Sequence, residues 1–293
     1  MIKRPMKGVS ALGQLDKLVY PFMAQPKYDG IRVINENGVA LSASLKPLRN
    51  KFLQSIVHNM PDGIEFEFYL TERQGGLRKA ASICNSEAGL IPDEATFALF
   101  DIRNVPLEYE RRLLLVQEIA STYEGRRNII AAPTSLCCSK EAVEAELKYR
   151  LAEGYEGIML KNPLGFYKNG RSTIRSRECL KLKPFEDAEG IVIGWKPEYE
   201  NCNEQTVNEL GLHSRSSCQL GKAAKSLVGA LHVRSPRFSE TFWVSGFTTD
   251  LKARLYAARD SLVGTVITFK YQPCAVYDAP RHPTFLRLRP TSI

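Results

Sequence analysis

The stretch Gln25-Pro26-Lys27-Tyr28-Asp29-Gly30-Ile31-Arg32 decides how the chain is read. An apolar segment, Val19 to Ala24, leads into it, and an alternating one, Ile31 to Val33, leaves it. A lysine between two β-like runs, with a glycine turn just behind it, is placed to act as a held nucleophile. To attack, its amine must be neutral, whereas an ordinary lysine has a pKa of about 10.4. Burial or neighbouring cations lower that value. Taken alone, K-x-D-G reads more readily as a salt-bridged surface lysine beside a turn. The residues further along the chain reverse that balance.

Residues 1 to 24 form a short lead-in. Downstream of Arg32, Asn37-Gly38 between two apolar runs signals a hairpin. A short helix is expected over Phe52 to Met60. The strand Ile64 to Leu70 sets Glu65 and Glu67 on one face and Ile64, Phe66 and Phe68 on the other. Such a carboxylate pair marks either a solvated face or a site for a polar ligand. Gln74-Gly75-Gly76 reads as a loop. Ala95 to Ile102 reads as a buried strand ending in Phe100-Asp101. Helices are expected over Glu108 to Tyr123 and Lys140 to Glu153, with Gly154 in stop position. Glu156-Gly157-Ile158-Met159-Leu160-Lys161 is an apolar strand bracketed by opposite charges. After the basic loop Lys168 to Arg177, the strand Cys179 to Pro184 carries Lys181 and Lys183 on one face.

Beyond Pro184 short strands dominate: Gly190 to Trp195, Val228 to Val233, Thr241 to Phe247 and Thr265 to Tyr271. A long polar loop, Glu198 to Lys225, separates the first two, and a helix is expected over Asp250 to Arg259. Several short strands in so brief a span suit a small barrel of the OB type. A domain boundary is therefore expected near Phe185, giving domains 1–185 and 186–293. The fold class is α+β.

With 293 residues, 44% hydrophobic and 25% charged, the chain has the composition of a globular protein with a real core. Its net charge of +8 favours polyanionic partners, nucleic acid first. No apolar run reaches the roughly 18 to 20 residues of a membrane helix, and the N-terminus lacks signal-peptide features, so no membrane association and a cytoplasmic location are expected. The seven cysteines are odd in number and scattered, with no C-x-x-C. Free thiols in a reducing compartment and no zinc site are expected.

The elements Lys27-Tyr28-Asp29-Gly30-Ile31-Arg32, Glu67, Phe100-Asp101, Glu156-Gly157 and Lys181-Leu182-Lys183, in that order and spacing, resemble those of the nucleotidyltransferases that pass through a lysyl-AMP intermediate. Within that group the chain resembles the short ATP-dependent DNA ligases of the phage and viral kind, from about residue 20 to the C-terminus. The resemblance implies an adenylation domain of antiparallel sheets with flanking helices, followed by an OB-fold barrel. It implies sealing of 3′-hydroxyl/5′-phosphate nicks in duplex DNA, with ATP and Mg²⁺ as cofactors and a monomer as the working state.

The resemblance also implies roles for residues. Lys27 would attack the α-phosphate of ATP, with Lys181 and Lys183 neutralising it. Gln25 and Pro26 would border the nucleotide, Gln25 at the base edge. Phe100 would stack on adenine. Glu67, with Glu65 as the fallback, would meet the ribose. Glu156 would be the metal-associated carboxylate, with Glu67 as a second metal candidate. Asp29 and Arg32 would serve the later steps, and Lys161 is either a phosphate contact or a surface lysine. Arg281, in Arg281-His282-Pro283, would orient the leaving pyrophosphate. Arg287 and Arg289 would meet DNA phosphates or solvent.

One position departs from the family. Where it usually carries a Ser-Arg pair contacting nucleic-acid phosphate, Leu41-Ser42-Ala43-Ser44-Leu45-Lys46 has Ala43. Either Lys46 or Arg49 substitutes, or DNA sealing is weakened. The loop Glu198 to Lys225, with Arg215, Lys222 and Lys225, reads as a solvated loop or as a segment that orders over duplex DNA. Two other readings stand beside the DNA ligase: an RNA ligase or mRNA guanylyltransferase, and a non-catalytic OB protein binding nicks or single strands.

Overall fold

At Asn37 and Gly38 the backbone enters the left-handed region, with φ of 53° and 79°. A two-residue turn of that kind matches the twist of the strands it joins. Here it joins β3 (Ile31–Glu36) to β4 (Val39–Ser42), Glu36 pairing with Val39. In this computed structural model residues 4–70, 76–125, 128–209, 211–272 and 279–289 are described. The chain divides into two compact units, Met1–Pro184 and Phe185–Ile293.

The first unit holds two five-stranded sheets. One runs β4-β3-β5-β6-β7, with β5 (Ile64–Leu70), β6 (Ala95–Ile102) and β7 (Ile129–Ala131). Its core face carries Val33, Phe66, Phe68, Phe97 and Leu99 beneath α1 (Lys51–His58), α2 (Gly76–Asn85) and α3 (Tyr109–Ser121). The other sheet runs β1-β10-β9-β2-β8. It is built from β1 (Val9–Ser10), β2 (Phe22–Pro26), β8 (Ser135–Cys137), β9 (Ile158–Lys161) and β10 (Leu180–Leu182). Phe22, Ala24, Ile158, Leu160 and Leu180 face its core with Val143 of α4 (Lys140–Ala152). Among the named strands of the described residues, only β1–β10 and β6–β7 pair in parallel. The mixture of mainly antiparallel sheets and flanking helices is the expected α+β class.

The second unit is a five-stranded sheet, β15-β14-β11-β16-β17. Its strands are β11 (Glu186–Asn201), β14 (Lys222–Arg234), β15 (Phe242–Val244), β16 (Val266–Gln272) and β17 (Arg281–Leu288). A bridge between Ser245 and Thr284 brings the two edges together, so the sheet closes on itself as a barrel. Val192, Leu231, Val244 and Phe269 fill it, with Leu255 of α5 (Thr249–Ala257).

Two expectations need correction, and a third segment gains a strand that the sequence pattern does not place. The polar segment 198–225 is not a loop: β11 and β14 stay paired out to Asn201–Lys222, and beyond them β12 (Gln205–Val207) pairs with β13 (His213–Arg215). This β-ribbon is exposed on both faces, so it lacks the apolar alternation by which strands are recognised. Gly76 opens α2 rather than closing a loop, whereas Gln74 and Gly75 lie outside the described residues. The tail from Arg281 is a full barrel strand, β17. No described helix is long and apolar enough to cross a membrane.

Candidate active site

The ladder between β2 and β9 continues past the end of β2. Lys27 N–H donates to the Gly157 carbonyl at 2.8 Å, and Glu156 N–H donates to the Lys27 carbonyl at 3.1 Å. Lys27 and Glu156 are thereby fixed as neighbours although 129 positions apart. A Cβ on Gly157 would lie 2.1 Å from the Leu182 carbonyl, and its φ is +147°. Only glycine allows β10 to come this close, which brings Lys183 to the same point.

Residues paired across a sheet point to the same side, as do alternate residues along a strand. One row across the sheet is Gln25, Met159 and Lys181; Met23 pairs with Lys161 in the row before it. Lys27 and Lys183 extend the same face. A cavity of about 250 Å³ opens on it, lined by Gln25, Pro26, Lys27, Met159, Lys161 and Lys181. Arg32, Glu67 and Phe100 line it from the other sheet, and Met6, Lys7 and Gly8 from the lead-in.

Phe100 faces the cavity by ordinary alternation from the core-facing Leu99, and a β-bulge sits beside it. Glu65 pairs with Asp101 and Phe66 with Leu99, so Phe100 is the extra residue on β6. The bulge keeps Asp101 on the same side as Phe100, out of the hydrophobic core, and restores Ile102 to it. Asp101 is fully buried between two cations: Arg112 Nε at 2.7 Å and Lys161 Nζ at 2.7 Å. Burial opposes its ionisation, but Lys161 and Arg112 outweigh it and hold its pKa low. Lys161 is therefore no surface lysine. It is 3% exposed, also donates to the Phe100 carbonyl, and lies 5.1 Å from the Phe100 ring centroid.

Lys27 Nζ contacts Glu156 Oε2 at 2.5 Å, and Lys183 Nζ contacts Oε1 at 2.5 Å. Burial disfavours the Glu156 carboxylate, yet Lys27 and Lys183 outweigh it and lower its pKa to about 2. Lys181 stands apart from this triad. Its pKa is lowered by burial and by Lys27, Lys7 and Arg171. Glu67 goes the other way: burial raises its pKa to about 7 against the pull of Lys27 and Arg32.

Arg32 pairs with Glu67 across β3–β5 through the backbone, but its guanidinium goes to Glu65, 2.6 Å away, and to the Met6 carbonyl. Tyr167 donates to the second Glu65 oxygen at 2.7 Å and accepts from Met6 N–H. Glu65 thus anchors the wall, and Glu67 is the carboxylate that lines the cavity. Asp29 is half-buried in the turn after Lys27. Arg281 opens β17 in the second unit. Ala43 is exposed, as are Lys46 and Arg49.

Sequence reasoning passed over Lys7, Tyr167 and Thr134. Lys7 lies in the lead-in, which has no periodic pattern; a backbone bridge to Arg171 carries it to the cavity. Among the described residues no cluster of three or more His, Cys, Asp or Glu side chains could hold a metal. Glu156 and Glu67 offer two hard oxygen donors, which fits Mg²⁺ bound mainly through phosphate and water oxygens.

Comparison with known proteins agrees with this architecture. Residues 221–289 match the family model of the DNA ligase OB-like domain. DNA ligase 2 of Methanosarcina mazei is 26% identical over 90% of the chain, and that of Methanosarcina acetivorans 24% over the same share. The chain spans 51% of the length of each. The structure of Chlorella virus DNA ligase-adenylate superposes over all of both chains with a TM-score of 0.57 at 23% identity. A Lig E DNA ligase superposes over 99% of this chain and all of its own, with a TM-score of 0.74 at 21% identity. The chain thus has the fold of the DNA ligases, with their OB-like domain in its second unit.

Proposed function

We propose that the chain is an ATP-dependent DNA ligase that seals nicks in duplex DNA. The observation that carries this reading is Lys27, which meets Glu156, the partner of Lys183, and lines a cavity whose other walls include Phe100, Met159 and Gln25. The polar end suits a phosphate. A thioether and an aromatic ring lining the same cavity suit a purine.

In the first step Lys27 loses its ammonium proton to solvent and its Nζ attacks the α-phosphorus of ATP. A P–N bond forms, the bond to the bridging oxygen breaks, and pyrophosphate leaves. Phosphoryl transfer needs positioning and charge neutralisation more than covalent help. Lys181 and Lys183 supply positive charge at the α-phosphate, and Glu67 meets the ribose. Mg²⁺, held by Glu156 and Glu67 together with phosphate oxygens, would supply further charge neutralisation when bound. Arg281 is assigned to the leaving pyrophosphate. In the later steps AMP passes to the 5′-phosphate of the nick and the 3′-hydroxyl displaces it, with Asp29 and Arg32 assisting. The excess of basic residues and the ribbon 198–225, bearing Arg215, Lys222 and Lys225, suit phosphate contacts that position DNA without reading its sequence.

The test is closure of a nicked duplex with ATP and Mg²⁺, followed on a denaturing gel beside nicked RNA and a capping substrate. Closure of DNA supports the proposal. Closure of RNA alone, or transfer of GMP, would replace it with RNA ligation or capping.

A further inference from the structure

Gln25 and Thr134 form a polar pair that the nucleotidyl-transfer chemistry does not itself require. Gln25 is 2% exposed, and its Nε2 donates to Thr134 Oγ1 at 3.1 Å. Thr134 Oγ1 donates in turn to the Ala132 carbonyl at 2.9 Å. A hydroxyl has one proton, and here it is committed to Ala132. Thr134 can then only accept, so the atom of Gln25 facing it must be the amide nitrogen. This hydrogen-bond logic fixes the otherwise ambiguous orientation of the amide. Oε1 is turned away from Thr134, and among the described residues it takes no hydrogen bond.

The position of Gln25 gives that acceptor a partner. It occupies the same row of the sheet as Met159, and both line the cavity that Phe100 lines from the other sheet. A purine held between Met159 and Phe100 would present an edge to Gln25. An acceptor at that edge suits the 6-amino group of adenine and opposes the 6-keto oxygen of guanine. We propose that Thr134, by orienting the Gln25 amide, sets the preference of the site for adenine over guanine nucleotides. Thr134 is thus a positioning residue. The inference rests on the adenylylation reading above.

The loss of orientation has a distinctive signature. Without Thr134 the Gln25 amide can turn and offer its NH₂ to a keto group. Selectivity then falls while the nucleophile and its cations stay in place.

The experiment compares wild type, Thr134→Val and Thr134→Ser, each with ATP or GTP and Mg²⁺, by the rate of nucleotide attachment measured as intact mass. Thr134→Val is predicted to lower the ATP:GTP ratio of kcat/KM about tenfold, or ~1.4 kcal/mol, chiefly through KM for ATP. Thr134→Ser, which keeps the hydroxyl, restores the ratio. In a Gln25→Glu background, whose carboxylate has no orientation to lose, Thr134→Val leaves the ratio where the first substitution puts it. A Thr134→Val protein that loses rate equally with both nucleotides, or keeps the wild-type ratio, overturns the inference alone. A wild-type chain that takes up neither nucleotide overturns the adenylylation reading and the inference together.

Discussion

Glu156 is shared between two lysines, its Oε2 held 2.5 Å from Lys27 Nζ and its Oε1 2.5 Å from Lys183 Nζ. The nucleophile candidate is therefore placed by an ion pair as well as by the backbone ladder through Gly157. Replacing Glu156 with Gln removes the charge that both ammonium groups approach and leaves two cations side by side. Nucleotide attachment is expected to fall about a hundredfold, the scale on which a single electrostatic group in a preorganised site acts. Single-turnover labelling with ATP measures it.

The same carboxylate makes stability depend on acid. The pKa of Glu156 is lowered from 4.5 to about 2 in the folded chain. Its contribution is present above the unfolded value of 4.5 and is lost as pH falls from there through about 2. Wild type is expected to lose more thermal stability than Glu156→Gln between pH 5 and pH 2. Melting curves across that range check it.

Glu67 has the opposite sign. Burial raises its pKa from 4.5 to about 7, so the folded chain binds a proton that the unfolded chain releases. Its charged form opposes folding, and stability is lost as pH rises from 4.5 to about 7. Glu67→Gln should melt at the same temperature as wild type at pH 4 and higher than wild type at pH 8. If Glu67 meets the ribose, nucleotide attachment falls in the same variant.

Asp101 lies fully buried between Arg112 and Lys161. Removing Arg112 deletes a fully buried side chain and its bonds to Asp101, and leaves Lys161 as the carboxylate's remaining cation, at a penalty of about 3 kcal/mol. Arg112→Ala is expected to destabilise the first unit by that order in urea. Because Asp101 adjoins the bulged Phe100, nucleotide affinity should weaken as well.

The ribbon 198–225 is exposed on both faces, and its removal leaves the barrel core intact. Replacing residues 203–219 with a two-residue Asn-Gly turn should leave nucleotide attachment near wild type. Nick closure should slow, with a shallower dependence on salt as phosphate contacts are lost. Closure rates at several salt concentrations test this.

Much of the site was legible because strand order and local spacing carry it. Glu67, Phe100 and Glu156 lie on or beside short apolar strands whose alternation shows which face each residue takes, and the Asn37-Gly38 turn announces its own hairpin. The missing parts depend on contacts between distant segments. Lys7 reaches the cavity only because the lead-in pairs with β10 and bridges to Arg171. Tyr167 acquires its place from Glu65 and Met6. The bulge that brings Asp101 to the side of Phe100 is one extra residue in an otherwise regular apolar run. The ribbon escaped notice because no core faces it, so its strands are free of the pattern that burial imposes.

The most direct test of the account is the mass of the intact chain after incubation with ATP and Mg²⁺, followed by addition of nicked duplex DNA. Wild type is expected to gain one AMP and a folded Lys27→Ala variant none, and the adduct is expected to discharge when the nick is added. An AMP adduct that forms equally in Lys27→Ala, or no adduct in wild type, would contradict it.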